Sequence, residues 1–385
     1  MHDASVTPVA HAARQGGAEF LAQALQDSRR DTLATFAVYA QALPGLSVPL
    51  RAELNPPLWE LGHIGWFQTR WLARNAQRAR GAAADVELVP QAADLLYDSS
   101  RVPHDARWAL PLPDAEGTCV ELAQQLDRTL ALLRVTPEED AGLYFFRLAL
   151  LHEDMHHEAA LYTARSLGIA IDDPRWQATA LPEPPAPLAL DAGSWTLGSA
   201  QKPGFAFDNE LRAHRAELGA TLIDTQVLRW AQFLPFVESG GYRDERWWSV
   251  PGRRWRAAQQ QRPGRWQALN GAEAACHLNF HEAEAWCNWA GRRLPTEAEW
   301  ERAAMSRPED FRWGEVWEWT ASPFAPYPGF EAHPYREYSQ PWFDGRHVLR
   351  GGSHLTQPRM KHPRYRNFFP PERNDIAVGF RSCAL

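Results

Sequence analysis

The chain is short of the features that would set it apart from ordinary globular proteins. Only four of its 385 residues are cysteine. Cys119, Cys276, Cys287 and Cys383 are scattered and form no CxxC pair, which excludes a dense disulfide framework and leads us to expect reduced thiols in a cytoplasmic protein. Positive charge is not in excess: 40 Lys and Arg stand against 47 Asp and Glu, a net charge of -7. No global basic field points to nucleic acid. No run approaches the roughly 18 apolar residues of a membrane span, so no membrane partner is expected. The opening MHDASVTPVAHAARQGG lacks the charged-then-apolar pattern of a secretory signal. Internal repeats are also missing, and nothing in the composition speaks to oligomeric state.

Tryptophan and proline, by contrast, are plentiful, at 18 and 30 residues. Together they suggest a loop-rich region held by buried indoles, whose ring N–H groups need partners. The length allows two domains.

The first half reads as helices. Glu19 to Leu43 places Phe20, Leu21, Leu25, Leu33, Phe36 and Tyr39 at helical spacings. A second helix is predicted from Pro56 to Ala79, with proline at its start, where a missing N–H costs nothing. A loop rich in Pro, Ser and charge follows from Gly81 to Asp114. Thr118 to Leu133 is a third helix, with Thr118 as the expected N-cap and Glu121 three residues on. The fourth runs from about Glu138 to Leu167 and stops at Gly168. Four helices with one long crossing loop suggest a bundle, and bundle cores are common metal sites. The tract LPEPPAPL, 181–188, reads as an extended linker. Beyond it lie short strands such as GSWTLGS, turns and Trp-rich loops. Helices are predicted at His281 to Ala290 and at Thr296 to Ala304, the latter with a Thr296–Glu299 capping box. The fold class expected is α+β in two domains: 1–180, helical; 181–188, linker; and 189–385.

The fourth helix carries LALLHEDMHHEAALY. His152 and His156 are four apart, so they stand one turn above each other on one helix face and can bind a single transition metal. His63, in the middle of the second helix, is the candidate third ligand. Three neutral imidazoles leave positions open for substrate or oxygen. Imidazole suits Zn, Cu, Fe and Ni, so the ligands alone do not choose the metal. A structural zinc would call for a fourth ligand, preferably cysteine, and none lies near. His157 is about 100° round the helix and should leave the metal face. Glu158, about 200° round, is expected as a helix-surface carboxylate, with a place behind the metal ligands as its other reading. Glu153 and Asp154 are expected to be solvated.

These residues carry a resemblance. HxxxHxE (His152, His156, Glu158) and the earlier W-x-L-G-H (Trp59 to His63) resemble the DinB-like four-helix domain of the sulfoxide synthases of ergothioneine biosynthesis. GRRLPTEAEWERAA (Gly291 to Ala304), WGEVWEWTASPFAPYPGF (Trp313 to Phe330), VLRGGSH (Val348 to His354) and YRNFFPPERNDIAVGFRSC (Tyr365 to Cys383) resemble the formylglycine-generating-enzyme, C-type-lectin-like fold. ELNPPLWELGHIGWFQ and LYDSSRVPHDARWALPLPD look most like the selenoneine synthase branch. That branch joins a selenosugar to hercynine, the trimethylated betaine of histidine, where the ergothioneine branch uses cysteine or γ-glutamylcysteine.

The resemblance implies Fe(II) on His63, His152 and His156, with O2 and hercynine as substrates and hercynine bound between the domains. It implies that Tyr365 to Arg373 lines the pocket, with Asn367 and Phe368 at the hercynine end and Arg373 at the close of the segment. Thiol-using relatives carry an acid near Phe369 and an arginine pair that grips carboxylates. Here Phe369 offers a ring, and the matching first-half stretch offers His104 and Arg107. Met155 stands where some relatives contact hercynine with a polar residue. A phenol near the iron could donate a proton or an electron; Tyr327 is the first choice, with Tyr335 and Tyr338 behind it. Trp317 and Trp319 are expected to pack the second domain's core, with pocket-lining as the second reading, and Cys287 and Cys383 to be buried packing residues. The formylglycine-generating enzymes' copper-binding cysteine pair is not matched. Outside this reading stand a zinc-dependent thiol transferase and a non-catalytic binding module.

Overall fold

A computed structural model describes residues 6–201, 203–259 and 270–385. Met1 to Ser5, the start of the stretch inspected for a signal, lie outside the described residues. The first half is helical: α1 (Pro8–Gln15), α2 (Ala18–Ala42), α3 (Pro57–Gln68), the short α4 (Asp94–Tyr97), α5 (Ala115–Arg134) and α6 (Asp140–Ser166). α2 packs on α5 and α6, and so does α3, which makes a four-helix bundle. No described helix is long and apolar enough to cross a membrane.

Two helix boundaries differ from the pattern reading. α3 stops at Gln68 and widens into a π turn at Thr69–Ala73. There the Arg74 N–H bonds five residues back to Thr69, so Trp71 and Leu72 both turn inward. α5 is capped by Asp114, whose carboxylate accepts the Gly117 N–H at 2.8 Å, and Thr118 is a buried residue inside the helix. α6 ends as expected before Gly168, which sits at φ +74°, a left-handed position that favours glycine.

The larger correction concerns α6. Glu153 and Asp154, expected in solvent, are 0% exposed. α6 is the central helix and is covered on nearly every side by α2, α3 and the second half, so its charges needed partners and found them. Arg29 of α2 grips Glu153 from 2.8 Å. Asp154 takes Arg359 at 2.6 Å and the Ser28 hydroxyl at 2.7 Å.

In the second half, β1 (Leu188–Leu190), β2 (Gly193–Leu197), β3 (His214–Leu218) and β4 (Thr221–Ile223) precede the helices α7 (Trp230–Glu238), α8 (Val250–Ala258), α9 (Phe280–Ala290) and α10 (Glu297–Ser306). β5 (Arg292–Arg293) lies between α9 and α10. β6 (Trp317–Pro323), β7 (His347–Arg350), β8 (Asn367–Phe369), β9 (Val378–Gly379) and β10 (Cys383–Ala384) follow. The sheets run β1-β4-β10-β5, β2-β3 and β8-β7-β6-β9, the last with β6 and β9 parallel. α10 starts on the Thr296–Glu299 capping box that the sequence predicts, and α9 on an Asn279–Glu282 box. None of the four cysteines forms a disulfide among the described residues, and Cys287 and Cys383 are buried.

Candidate metal centre

His63, His152 and His156 converge, each offering a ring nitrogen, with all these atoms within 4.8 Å of one another. α3 supplies the first and α6 the other two. The rings are oriented from behind. His63 Nδ1 bonds the Tyr97 carbonyl at 2.8 Å, and His156 Nδ1 bonds the Glu60 carboxylate. In both residues Nε2 is left for a metal, the arrangement by which outer groups fix a ligating imidazole. Gly62 makes the first contact possible: a Cβ there would fall 2.2 Å from the Tyr97 ring. This is the physical reason for glycine just before His63.

Burial favours the neutral ring in His63 and His152. Burial, with His156 alongside, lowers His63 to about 3 and puts His152 well below its ordinary value. Burial alone would raise the Glu60 carboxyl, but the His156 ring against it prevails and holds it at about 2. Neutral imidazoles backed by an ionised carboxylate are the state that binds a metal. Aromatic rings close the shell. His152 stacks on Phe67 at 3.5 Å, and Trp59 and Trp66 lie 4.9 and 5.5 Å from His63.

A cavity of about 250 Å³ opens beside His156, between the two halves. Glu60, Met155, Glu158 and Tyr162 line it from the bundle, and Trp317, Tyr365, Asn367 and Phe369 from the second half. Met155 accepts the Tyr365 hydroxyl at 3.3 Å. Glu158 is 7% exposed and is no surface group. Its Oε1 accepts the Trp317 indole N–H and the Ser353 and Thr356 hydroxyls, each at 2.8 Å, so it ties α6 to the second half. Burial raises its carboxyl above the usual range against those three donors. Trp317 therefore both packs and lines the cavity, whereas Trp319 is wholly core. His157 leaves the metal face, as predicted, and bonds Thr35.

Other expected site residues lie elsewhere. β8 is a strand, so side chains alternate: Asn367 and Phe369 face the cavity, and Phe368 turns away to stack on Phe324 at 4.0 Å. Tyr327 is buried in another network, its hydroxyl held by Glu297 at 3.0 Å and Arg350 at 3.1 Å. Among the three tyrosines considered, Tyr335 has described ring contacts with the centre, 5.0 Å from Phe67 and 6.1 Å from His152. Arg373 pairs with Asp375 and lies over Phe369. Arg107 lies 4.0 Å over Trp59 and bonds Asn55 on the cavity wall. His104 bonds the Leu54 carbonyl.

The pattern reading missed Glu60 and Tyr162. Both were open to it, because Glu60 is three residues before His63 and Tyr162 extends the stripe His152, Met155, His156, Ala159.

The sulfatase-modifying factor enzyme 1-like domain family matches residues 175–315 and 309–384. The hercynine oxygenase of Mycolicibacterium smegmatis is 30% identical, across 85% of this chain and 90% of its own length. That of Mycolicibacterium thermoresistibile is 31% identical, across 94% of each. The formylglycine-generating enzyme of Thermomonospora curvata is 28% identical, over 33% of this chain and 52% of its own. That last likeness covers a third of the chain, whereas the first two span bundle and second half together, so the chain belongs to the hercynine oxygenase family.

Proposed function

We propose that the protein is a nonheme Fe(II), O2-dependent oxygenase that joins a selenosugar to hercynine by a C–Se bond, with oxygenation to the selenoxide. The observation that carries the reading is the three-histidine cluster, oriented from behind and opening onto a cavity between the halves. Fe(II) on His63, His152 and His156 would supply one-electron redox chemistry and open positions for substrate and O2. The domain division at 181–188 belongs to the same proposal.

The cavity suits hercynine. A quaternary ammonium takes aromatic faces and carboxylates, and Trp317, Tyr365, Phe369 and Glu158 offer both. Asn367 uses its side-chain oxygen on the Phe368 N–H, leaving its amide NH2 to donate to the betaine carboxylate. Tyr335 is the phenol placed to hold or give a proton beside His152.

The donor side favours a neutral sugar. Groups that would grip an amino acid's charges are engaged: Arg373 by Asp375, Arg107 by Asn55 and the Trp59 face, and His104 by a carbonyl. Phe369 presents a ring where an ammonium would want an acid. The second reading is a sulfoxide synthase acting on cysteine or γ-glutamylcysteine. The relatives' shared name specifies hercynine and leaves the donor open to it.

The test is product mass spectrometry with hercynine, O2 and a panel of selenosugar, cysteine and γ-glutamylcysteine, on protein purified anaerobically and assayed for iron and zinc. Selenoxide product from the selenosugar and bound iron are expected. Product from the thiols alone would overturn the donor. Zinc without O2 uptake would favour a thiol transferase, and neither metal nor uptake a binding module. Iron content and turnover unchanged in His63→Ala, His152→Ala and His156→Ala would overturn the centre itself.

A further inference from the structure

Tyr335 sits in the long connection between β6 and β7, a segment with little regular structure to hold it. Its neighbours in the chain are nevertheless tied down on both sides by one carboxylate. Asp208 accepts the His333 N–H through Oδ2 at 3.3 Å and the Ser339 hydroxyl through Oδ1. Between these anchors, the Phe207 ring stacks on Tyr338 at 4.4 Å. From the bundle, the Tyr144 hydroxyl of α6 shares a hydrogen bond with His333 Nδ1 at 2.9 Å. The pair Phe207–Asp208 thus brackets Tyr335 at three points.

Asp208 is an expensive way to hold a loop. It is 3% exposed and forms no ion pair among the described residues. Glu210, of like charge and two residues on, already has Arg14. A buried carboxylate without a cation costs stability, and burial raises Asp208 to about 6 despite the Ser339 hydroxyl. A neutral residue would satisfy packing alone at less cost. What the carboxylate adds is two acceptor oxygens, one for each side of the loop.

We propose that Asp208 is a positioning residue for Tyr335, fixing the His333–Ser339 loop so that the phenol is held against His152. The proposal rests on the reading of Tyr335 as the working phenol.

The experiment compares Asp208→Ala and Asp208→Asn, each alone and combined with Tyr335→Phe. It measures kcat and KM for hercynine with the panel donor that gives the highest turnover, bound iron, and melting temperature. Misplacing a reacting group by about 1 Å costs on the order of 10²-fold. Asp208→Ala should lower kcat by that order, with KM and iron content within about twofold of the parent. Asp208→Asn, which keeps one acceptor oxygen, should fall between, yet melt no lower than the parent because an uncompensated buried charge is gone. In the Tyr335→Phe background, Asp208→Ala should change kcat by less than about twofold, since residues acting through one another are not additive. Full kcat in Asp208→Asn and Asp208→Ala would overturn the proposal. So would losses that multiply with a slow Tyr335→Phe, which would leave the tyrosine its role and remove that of Asp208. Full turnover in Tyr335→Phe itself would remove the reading of the tyrosine and the proposal with it.

Discussion

The two halves of the molecule bury their charges for different ends. In the bundle, ion pairs join helix to helix: Arg29 of α2 meets Glu153 of α6, and Gln68 of α3 and Gln125 of α5 complete the group. The helices' own backbone bonds are already made within each segment. In the second half, buried arginines do what regular structure does elsewhere. Arg381 holds Glu318 and the carbonyls of Asp224 and Arg312, and Arg366 holds Glu297 and the carbonyls of Asn209 and Ala325. A loop-rich domain has many backbone groups with no ladder to join, and a five-donor guanidinium can satisfy several at once. The metal centre therefore rests on local helix spacing, whereas the cavity wall rests on long-range side-chain bonds.

The sharpest way to break the comparison is at the seam. Asp154 belongs to the bundle and Arg359 to the second half, and both are buried. Arg359→Met leaves the carboxylate with Ser28 and no cation, and should cost about 3–5 kcal/mol of stability. Adding Asp154→Leu should recover most of it. Denaturant melts of the single and double variants check this; equal loss in both would mean that the unpaired Asp154 carboxylate is not what the single variant loses.

Next in size is a pH effect confined to the second half. Glu282 is buried, accepts the Tyr242 hydroxyl at 2.6 Å, and caps α9 through the Asn279 N–H. Burial, against those donors, raises it from 4.5 to about 7. The native state thus holds a proton that the unfolded chain has released between those values. This group's contribution to stability should be complete below about pH 4.5, fall as pH rises to about 7, and stay low above it. The span is on the order of 3 kcal/mol. Glu282→Gln should remove that component of the pH–stability curve, as thermal melts from pH 5 to 8 would show.

This division also explains what could be read from the sequence. His152 and His156, the ends of α6, and the Thr296–Glu299 cap are periodic or local signals, and each is where the pattern puts it. Glu153 and Asp154 were misread because helical spacing says which face a residue occupies and not whether every face is covered. Phe368 and Tyr327 lie away from the cavity for another reason. A motif places residues in a segment, but strand alternation turned Phe368 outward, and the Glu297–Arg350 network took the Tyr327 hydroxyl. Neither partner is close in sequence. Asp208 carries no local signal at all, since its meaning comes from a loop more than a hundred residues away.

A smaller effect tests whether the centre is as local as it looks. Glu60 and His63 lie on one face of α3, and Glu60 orients His156 on the neighbouring helix. Glu60→Gln keeps the size and an acceptor but removes the charge behind the imidazole. Loss of such an outer partner costs about 10–100-fold in metal affinity. Competition of the purified protein against a chelator for Fe(II) should show that shift with the melting temperature of the metal-free protein little changed. A melting temperature that falls along with affinity would mean that the pair is a structural joint between α3 and α6 as much as an orienting device.

The smallest effect concerns where the bundle's third long helix begins, and it separates a local signal from its near neighbour. Asp114 and Thr118 are both plausible caps by residue type, four positions apart. The structure gives the role to Asp114, which accepts the Gly117 N–H, while the Thr118 hydroxyl is buried without a hydrogen-bond partner among the described residues. Asp114→Ala should then cost about 1 kcal/mol, and its carboxylate also faces the positive end of the helix dipole. Thr118→Val keeps the shape, discards an unsatisfied hydroxyl, and should be neutral or slightly stabilising. Denaturant midpoints of the two variants decide it: a loss in Thr118→Val matching that in Asp114→Ala would move the start of the helix to where the sequence pattern puts it.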